Sequence, residues 1–88
     1  MESQELAARI DHTLLRPEAT DEEAARLAAE AVRFGCAAVC VNLARLPAVV
    51  EGLAGSGVAP CCVVSFPLGA SGTAARVAET EEARRRGA

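Results

Sequence analysis

The chain has 88 residues, of which 51% are hydrophobic and 24% charged, and its formal net charge is −3. This composition is typical of a globular protein and argues against a disordered segment, and the length allows one domain at most. Arg84–Arg86 is the only cationic run, so the chain lacks the basic surface of a nucleic-acid-binding protein. Neither a signal peptide nor a membrane span is visible, so we expect a cytoplasmic protein without a membrane partner.

The first predicted strand begins near residue 10 and places polar side chains inside an apolar run. Asp11, His12 and Thr13 follow one another directly, before two leucines. Because side chains alternate along a strand, Asp11 and Thr13 share one face, while His12 faces the opposite way and is expected to pack beneath a helix. Asp11 and Thr13 either point into a functional cleft or satisfy backbone groups near the strand end, and both interpretations stay open.

The next segment has the features of an amphipathic helix. Thr20 and Glu23 form a capping box, and Gly35 is suited to end the helix in a left-handed conformation. The apolar residues between them recur at the spacing of one helical face, which we expect to be buried: Ala24, Leu27, Ala28, Ala31 and Phe34.

Two further strand–helix units follow. The runs "AAVCVN" (Ala37 to Asn42) and "PCCVVSF" (Pro60 to Phe66) are apolar on both faces, as in strands of a parallel sheet. Pro47 is suited to the first turn of a helix that closes at Gly55 and Gly57. A last helix is predicted from Thr73 to Arg86, with three residues inward: Ala74, Val77 and Ala78.

The rhythm of strands and helices predicts an α/β fold with parallel strands in sequential order. A short N-terminal helix should lie over the bottom of the sheet, and the other helices should cover one side of it. The pattern fits either an open doubly wound sheet or part of a (β/α)₈ barrel. Since a closed barrel needs eight units, three βα units leave it incomplete.

Functional groups of α/β folds gather at the carboxyl ends of the strands. That rule selects the segment from Asp11 to Leu15, then Cys40 and Asn42, then Ser65 and Phe66. We expect Asp11, Cys40 and Phe66 at this end of the sheet. The four cysteines contain no CxxC pair, so no metal site is expected, and since no secretory signal is visible, no disulfide is expected either. The loop "GASGT" before the last helix could bind an anion, although most such loops are only turns.

Three motifs together carry a family resemblance: "IDHTLLRPEAT", "AAVCVN" and "VVSFPLGASGT". Their order and spacing resemble the N-terminal part of deoxyribose-phosphate aldolase, from about Leu6 to Ala88. Two positions depart from the family pattern. Leu43 stands where proline is usual, and Ser65 stands where glycine is common.

The resemblance implies a metal-independent class I aldolase with a (β/α)₈ TIM barrel and no cofactor. Such enzymes use a Schiff base to cleave 2-deoxy-D-ribose 5-phosphate reversibly into D-glyceraldehyde 3-phosphate and acetaldehyde, in deoxyribonucleotide catabolism. The full-length protein would bind these phosphorylated sugars and aldehydes and form a homodimer. Residues 1–88 would be one partial domain.

The chain contains no lysine, so it has no side-chain amine that could form the imine. The resemblance implies that the Schiff-base lysine, a second lysine and a relay aspartate lie beyond Ala88, and that no catalytic residue lies within the chain. It also implies a set of active-site neighbours: Asp11, Thr13, Leu15, Cys40, Asn42 and Phe66. Alone, the chain is expected to be inactive and weakly stable.

Two other functions stay open. The chain could be a small, non-catalytic α/β module that binds an anion through the "GASGT" loop. It could also be a fragment of a different Schiff-base barrel enzyme that shares only the βα rhythm.

Overall fold

The computed structural model describes residues 1–88 as an open α/β sheet with three parallel strands in the order β1-β2-β3. The strands are β1 (Asp11–Leu14), β2 (Ala38–Val41) and β3 (Ala59–Cys62), and the helices are α1 (Ser3–Ala7), α2 (Asp21–Phe34), α3 (Leu46–Leu53) and α4 (Thr73–Arg85). A 3₁₀ turn over Leu43–Arg45 leads into α3. The predicted parallel order is confirmed, and the sheet is not closed, so β1 and β3 each keep one edge without a neighbouring strand.

Helix α2 begins and ends where the sequence predicts. The Thr20 hydroxyl accepts from the Glu23 amide while the Glu23 carboxylate accepts from the Thr20 amide, which completes the capping box. Gly35 ends the helix at φ 71°, a left-handed conformation that costs glycine little. Four of the five predicted inward residues are buried, but Phe34 is 57% exposed. The reason is its place in the last turn, beyond the sheet-facing core, where it lines a groove with Leu6 and Ile10.

Helix α3 packs closely against α2. Pro47 lies in its first turn, as predicted, and the helix ends at Leu53, before Gly55 and Gly57. A Cβ atom added at Gly52 would lie 2.9 Å from the Ala28 Cβ atom, so the two helices approach within the space that only glycine allows.

The core lies between the sheet and helices α2 and α3. Val39 and Val41 of β2 are fully buried, as are Leu46 and Val49 of α3. The chain nevertheless exposes 5673 Å² of surface. A compact monomer of 9.0 kDa would expose roughly 4,900 Å², so this fold leaves uncovered surface that a closed domain would bury.

The third strand is shorter than predicted. The sequence suggested Pro60 to Phe66, but β3 ends at Cys62, with one further backbone bond from the Val63 amide to the Val41 carbonyl at 3.1 Å. The chain then turns at Ser65, whose φ of 56° cannot continue an extended strand. Phe66 therefore lies in a loop.

Helix α4 has nearly the predicted bounds, but its predicted inward face is wrong. Ala74, Val77 and Ala78 are exposed, while Ala83 is the one buried residue of the helix. The Glu79 carboxylate accepts from the Ser65 amide at 2.8 Å, which turns the side carrying Glu79 and Ala83 inward. No further βα unit lies beside the apolar face, so nothing covers it.

Helix α1 lies at the amino-terminal ends of the strands, as predicted. Its Leu6 and Ala7 border a groove of about 370 Å³ together with Ile10 and Phe34, which precede β1 and β2. No helix of the chain has both the length and the apolar character needed to cross a bilayer.

Candidate active site

The sheet has one face covered by helices and one open face, and the alternation of side chains sorts the candidate residues between them. Strand register places Asp11 beside Ala38 and Ala59, and Thr13 beside Cys40 and Cys61. These residues form two rows across the open face. His12 faces the helices, as predicted, and its Nε2 atom lies 3.2 Å from the Glu30 Oε1 atom of α2.

Asp11 lies on the open face, but at the opposite end of the strand from the one expected. It is the first residue of β1 and pairs with the first residues of β2 and β3. Leu14 ends this short strand and Leu15 follows it, so the Asp11 carboxylate lies nearer the amino-terminal edge of the sheet. The carboxylate is exposed and takes part in none of the chain's four ion pairs. It is therefore free to act on a group above the open face.

The Thr13 hydroxyl already has a backbone partner. Its Oγ1 atom donates to the Asp11 carbonyl at 2.8 Å. Thr13 therefore satisfies a backbone group near the strand, which was one of the two interpretations of this polar pair. The Asp11 carboxylate does not, so for Asp11 the interpretation as a functional group stays open.

Asn42 ties the carboxyl ends of two strands together. Its Nδ2 atom donates to the Leu15 carbonyl at 3.1 Å, across 27 residues of sequence. Leu43, which replaces the usual proline, packs against the hydrophobic core from the following 3₁₀ turn. The hydrogen bond between Asn42 and Leu15 therefore holds the carboxyl ends of β1 and β2 together at the edge of the open face.

Phe66 borders a cavity formed by the loop after β3. This cavity has a volume of about 370 Å³ and is lined by Ser65, Phe66, Pro67, Leu68, Ala70 and Ser71. The hydroxyls of Ser65 and Ser71 are hydrogen-bonded, and the Glu79 carboxylate holds the Ser65 amide. Ser65 has a positive φ, which explains why glycine suits this position. Glu79 was missed at the sequence level because its partner is a backbone amide 14 residues away.

Two of the four cysteines have thiols with a raised pKa, Cys40 on the open face and Cys62 on the covered face. Burial, followed by the charge and hydrogen bonding of the neighbouring Cys61, raises the pKa of Cys40 to about 11, with a smaller contribution from Asp11. Burial also raises the pKa of Cys62, which packs against the core on the other face. All four cysteines are free thiols, and no group of three or more His, Cys, Asp or Glu side chains is arranged to hold a metal ion.

No protein-family model matches the chain, but curated relatives do. Deoxyribose-phosphate aldolase of Clostridium kluyveri is 46% identical over 88 residues, which is 100% of this chain and 40% of that protein. Deoxyribose-phosphate aldolase 2 of Staphylococcus aureus is 46% identical over 82 residues, or 93% of this chain and 37% of that protein. This chain is homologous to the N-terminal part of the deoxyribose-phosphate aldolases.

Solved aldolase structures also match nearly the whole of this chain and a similar share of their own length. A Coccidioides immitis protein assigned to the deoxyribose-phosphate aldolases matches 100% of this chain and 35% of its own, with a TM-score of 0.94 and 36% identity. The deoxyribose phosphate aldolase of Aeropyrum pernix, described as a unique tetramer, matches 99% of this chain and 37% of its own, with a TM-score of 0.92 and 31% identity. The chain thus spans about two fifths of the length of these relatives.

Proposed function

We propose that these 88 residues are one part of a deoxyribose-phosphate aldolase. The enzyme would cleave 2-deoxy-D-ribose 5-phosphate reversibly into D-glyceraldehyde 3-phosphate and acetaldehyde through a Schiff base. The observation that carries the proposal is the 46% identity to the Clostridium kluyveri enzyme over 100% of the chain. Because the match covers 40% of that enzyme, the chain would supply part of the active site and not the whole of it.

Within this site, the open sheet face would form one wall. Asp11 would supply a free carboxylate, Cys40 and Thr13 would line the wall, and Leu15 and Phe66 would border the substrate with apolar surface. Asn42 would hold the rim in shape through its bond to the Leu15 carbonyl. These roles are supported by the exposure of Asp11 and by the rows that strand register defines on the open face.

The imine would form elsewhere. Schiff-base chemistry needs an uncharged amine as the nucleophile, and the chain contains no lysine. We propose that both lysines and the relay aspartate come from residues outside these 88. The isolated chain would then be inactive.

A chimera tests the proposal. The segment of the Clostridium kluyveri aldolase that matches this chain would be replaced by these 88 residues, and the product assayed with 2-deoxy-D-ribose 5-phosphate. We expect turnover and a borohydride-trapped imine from the chimera, and neither from the 88-residue chain alone. A folded but inactive chimera would refute the proposal, and a trapped adduct on the isolated chain would refute the claim of inactivity.

The role of Asp11 can be tested in the same chimera. We expect Asp11→Asn to lower kcat/KM on the order of 10²-fold, the lower end of the contribution of a positioned acid–base group. Asp21→Asn is the matched control, because Asp21 is exposed in the first turn of α2 and pairs with Arg45 at 2.8 Å. Equal activities of the two variants would show that Asp11 has no role in the site.

The anion-binding alternative rests on the "GASGT" loop, and the loop geometry weakens it. The Ser71 amide already donates to the Ser65 Oγ atom at 3.3 Å, and the nearby Glu79 carboxylate holds the Ser65 amide. A negative side chain beside the loop disfavours an anion there. Titration of the chain with inorganic phosphate, followed by amide chemical shifts, decides the point, because saturable shifts of residues 69–73 would support this alternative.

Location and assembly are also proposals. A cytoplasmic enzyme of deoxyribonucleotide catabolism is supported by the four free thiols, since disulfides are rare in the cytoplasm. We propose a homodimer for the longer protein, which is consistent with the exposed Leu6, Ile10 and Phe34 around the groove beside α1. Light scattering of the chimera measures its oligomeric state.

A further inference from the structure

Cys40 and Cys61 are neighbours across the open face of the sheet. They are register partners on adjacent parallel strands, so both side chains point to the same side. Neighbouring strands lie about 4.8 Å apart, within the range of roughly 4.4–6.8 Å over which two cysteines can be joined through their sulfurs. Both residues are half-buried, and the neighbouring Cys61 is one of the causes that raise the pKa of Cys40.

The other two cysteines do not join them. Cys62 follows Cys61 directly but faces the helices, where it packs against the core. Cys36 precedes β2 at the other end of the sheet, in the groove beside α1. The open face therefore offers two sulfurs, which suits a ligand that two thiols can hold and falls short of the four ligands of a structural zinc site.

We propose that Cys40 and Cys61 form a dithiol site that chelates thiophilic trivalent arsenic. An arsenoxide of the form R–As=O condenses with two thiols, so that two S–H bonds break, two As–S bonds form and one water leaves with the two protons and the oxygen. Arsenic stays trivalent and no oxidant is consumed. This site goes beyond the aldolase activity and does not depend on it.

The surroundings favour this reaction over disulfide chemistry. Disulfide exchange proceeds through a thiolate, and burial together with Cys61 raises the pKa of Cys40, which keeps the thiol protonated at neutral pH. Asp11, on the same face, adds a further negative charge that opposes the thiolate. The condensation uses neutral thiols and leaves a neutral adduct, so it places no charge in this half-buried site.

The test uses phenylarsine oxide and the 88-residue chain. We expect one adduct per chain by intact mass, the loss of two of the four free thiols, and retention in excess 2-mercaptoethanol but release by 2,3-dimercaptopropanol. Chelation raises affinity by about 10²–10⁴ over a single thiol, so Cys40→Ser and Cys61→Ser should each weaken binding at least about 100-fold. Cys36→Ser and Cys62→Ser are the matched controls and should bind as the unmodified chain does.

A second measurement does not depend on the variants folding. Iodoacetamide labelling of the unmodified chain with bound arsenical, read by peptide mass, identifies which two cysteines are protected. Protection of Cys40 and Cys61 supports the site. Protection of any other pair, or an adduct that 2-mercaptoethanol removes, overturns it.

Discussion

Two regions of this chain both carry apolar side chains but pack them very differently. In the inner layer, formed by α2, β2 and α3, both helices cover the central strand, and Val39, Val41, Leu46 and Val49 are fully buried. In the outer unit, which runs from Ala59 to Ala88, Ala83 is the only buried residue. A βα unit of a parallel sheet buries its side chains against the units on both sides of it. The outer unit has a neighbour on one side only.

The largest expected difference comes from the same substitution made in each region. Leu46→Ala empties a fully buried position in the inner layer and should cost about 2–5 kcal/mol of local stability. Leu68→Ala removes a side chain that is 85% exposed and should change stability by no more than about 0.5 kcal/mol. Amide hydrogen exchange by NMR measures both, because it reports each region separately. Equal losses of protection would show that the two regions unfold as one unit.

A smaller effect is expected where α2 and α3 touch. Gly52→Ala places a Cβ atom 2.9 Å from that of Ala28, and such overpacking costs typically about 1–3 kcal/mol, against a gain in helix propensity of at most about 1 kcal/mol. The double variant Gly52→Ala with Ala28→Gly removes the clash and should recover part of the loss. Gly72→Ala, whose Cβ atom meets open space, is the control. Faster exchange in α2 and α3 for Gly52→Ala alone supports the close packing, and unchanged exchange would contradict it.

The features predicted correctly from the sequence are those decided by local chemistry. The capping box at Thr20 and the end at Gly35 are local features whose chemistry is complete within a few residues. The open and covered faces of β1 likewise follow from alternation alone, and the contact between His12 and Glu30 confirms the assignment of His12 to the helix side.

What the sequence did not reveal depends on distant neighbours. The apolar face of α4 around Val77 was expected to be buried, but periodicity states only that a face is apolar and not whether anything covers it. Phe34 was misjudged for a related reason, since the last turn of α2 passes beyond the sheet-facing core. The position of Asp11 along the sheet depends on the residue at which β1 begins. The pairing of Cys61 with Cys40 depends on the register between β2 and β3.

The helix termini offer a finer comparison between the two regions. Thr20 caps α2 with its side chain, whereas Gly72 begins α4 without a side-chain hydrogen bond. Thr20→Ala should cost about 1 kcal/mol, and Gly72→Ser should add only a few tenths of a kcal/mol, roughly 0.3. Helicity measured by circular dichroism, with exchange rates in the first turn of each helix, checks both values. If Gly72→Ser raised helix stability by more than Thr20→Ala lowered it, the low stability of the outer unit would come from its poor helix cap and not from its missing neighbour.

The smallest expected effect concerns the charge at the start of α2. The hydrogen bond from the Thr20 amide, followed by that from the Arg16 guanidinium, holds the pKa of Glu23 below its ordinary value of 4.5. A lowered pKa in the folded state means that the ionised carboxylate stabilises the fold, fully so above pH 4.5 and progressively less as the pH falls through the folded-state value. Glu23→Gln keeps an acceptor for the Thr20 amide but carries no charge, so helicity at 222 nm should fall less between pH 6 and pH 2 than in the unmodified chain. Glu22→Gln, one residue earlier on the exposed side of the same turn, is the control and should leave the acid response unchanged. An acid response that Glu23→Gln does not reduce would place the titrating group elsewhere in the chain.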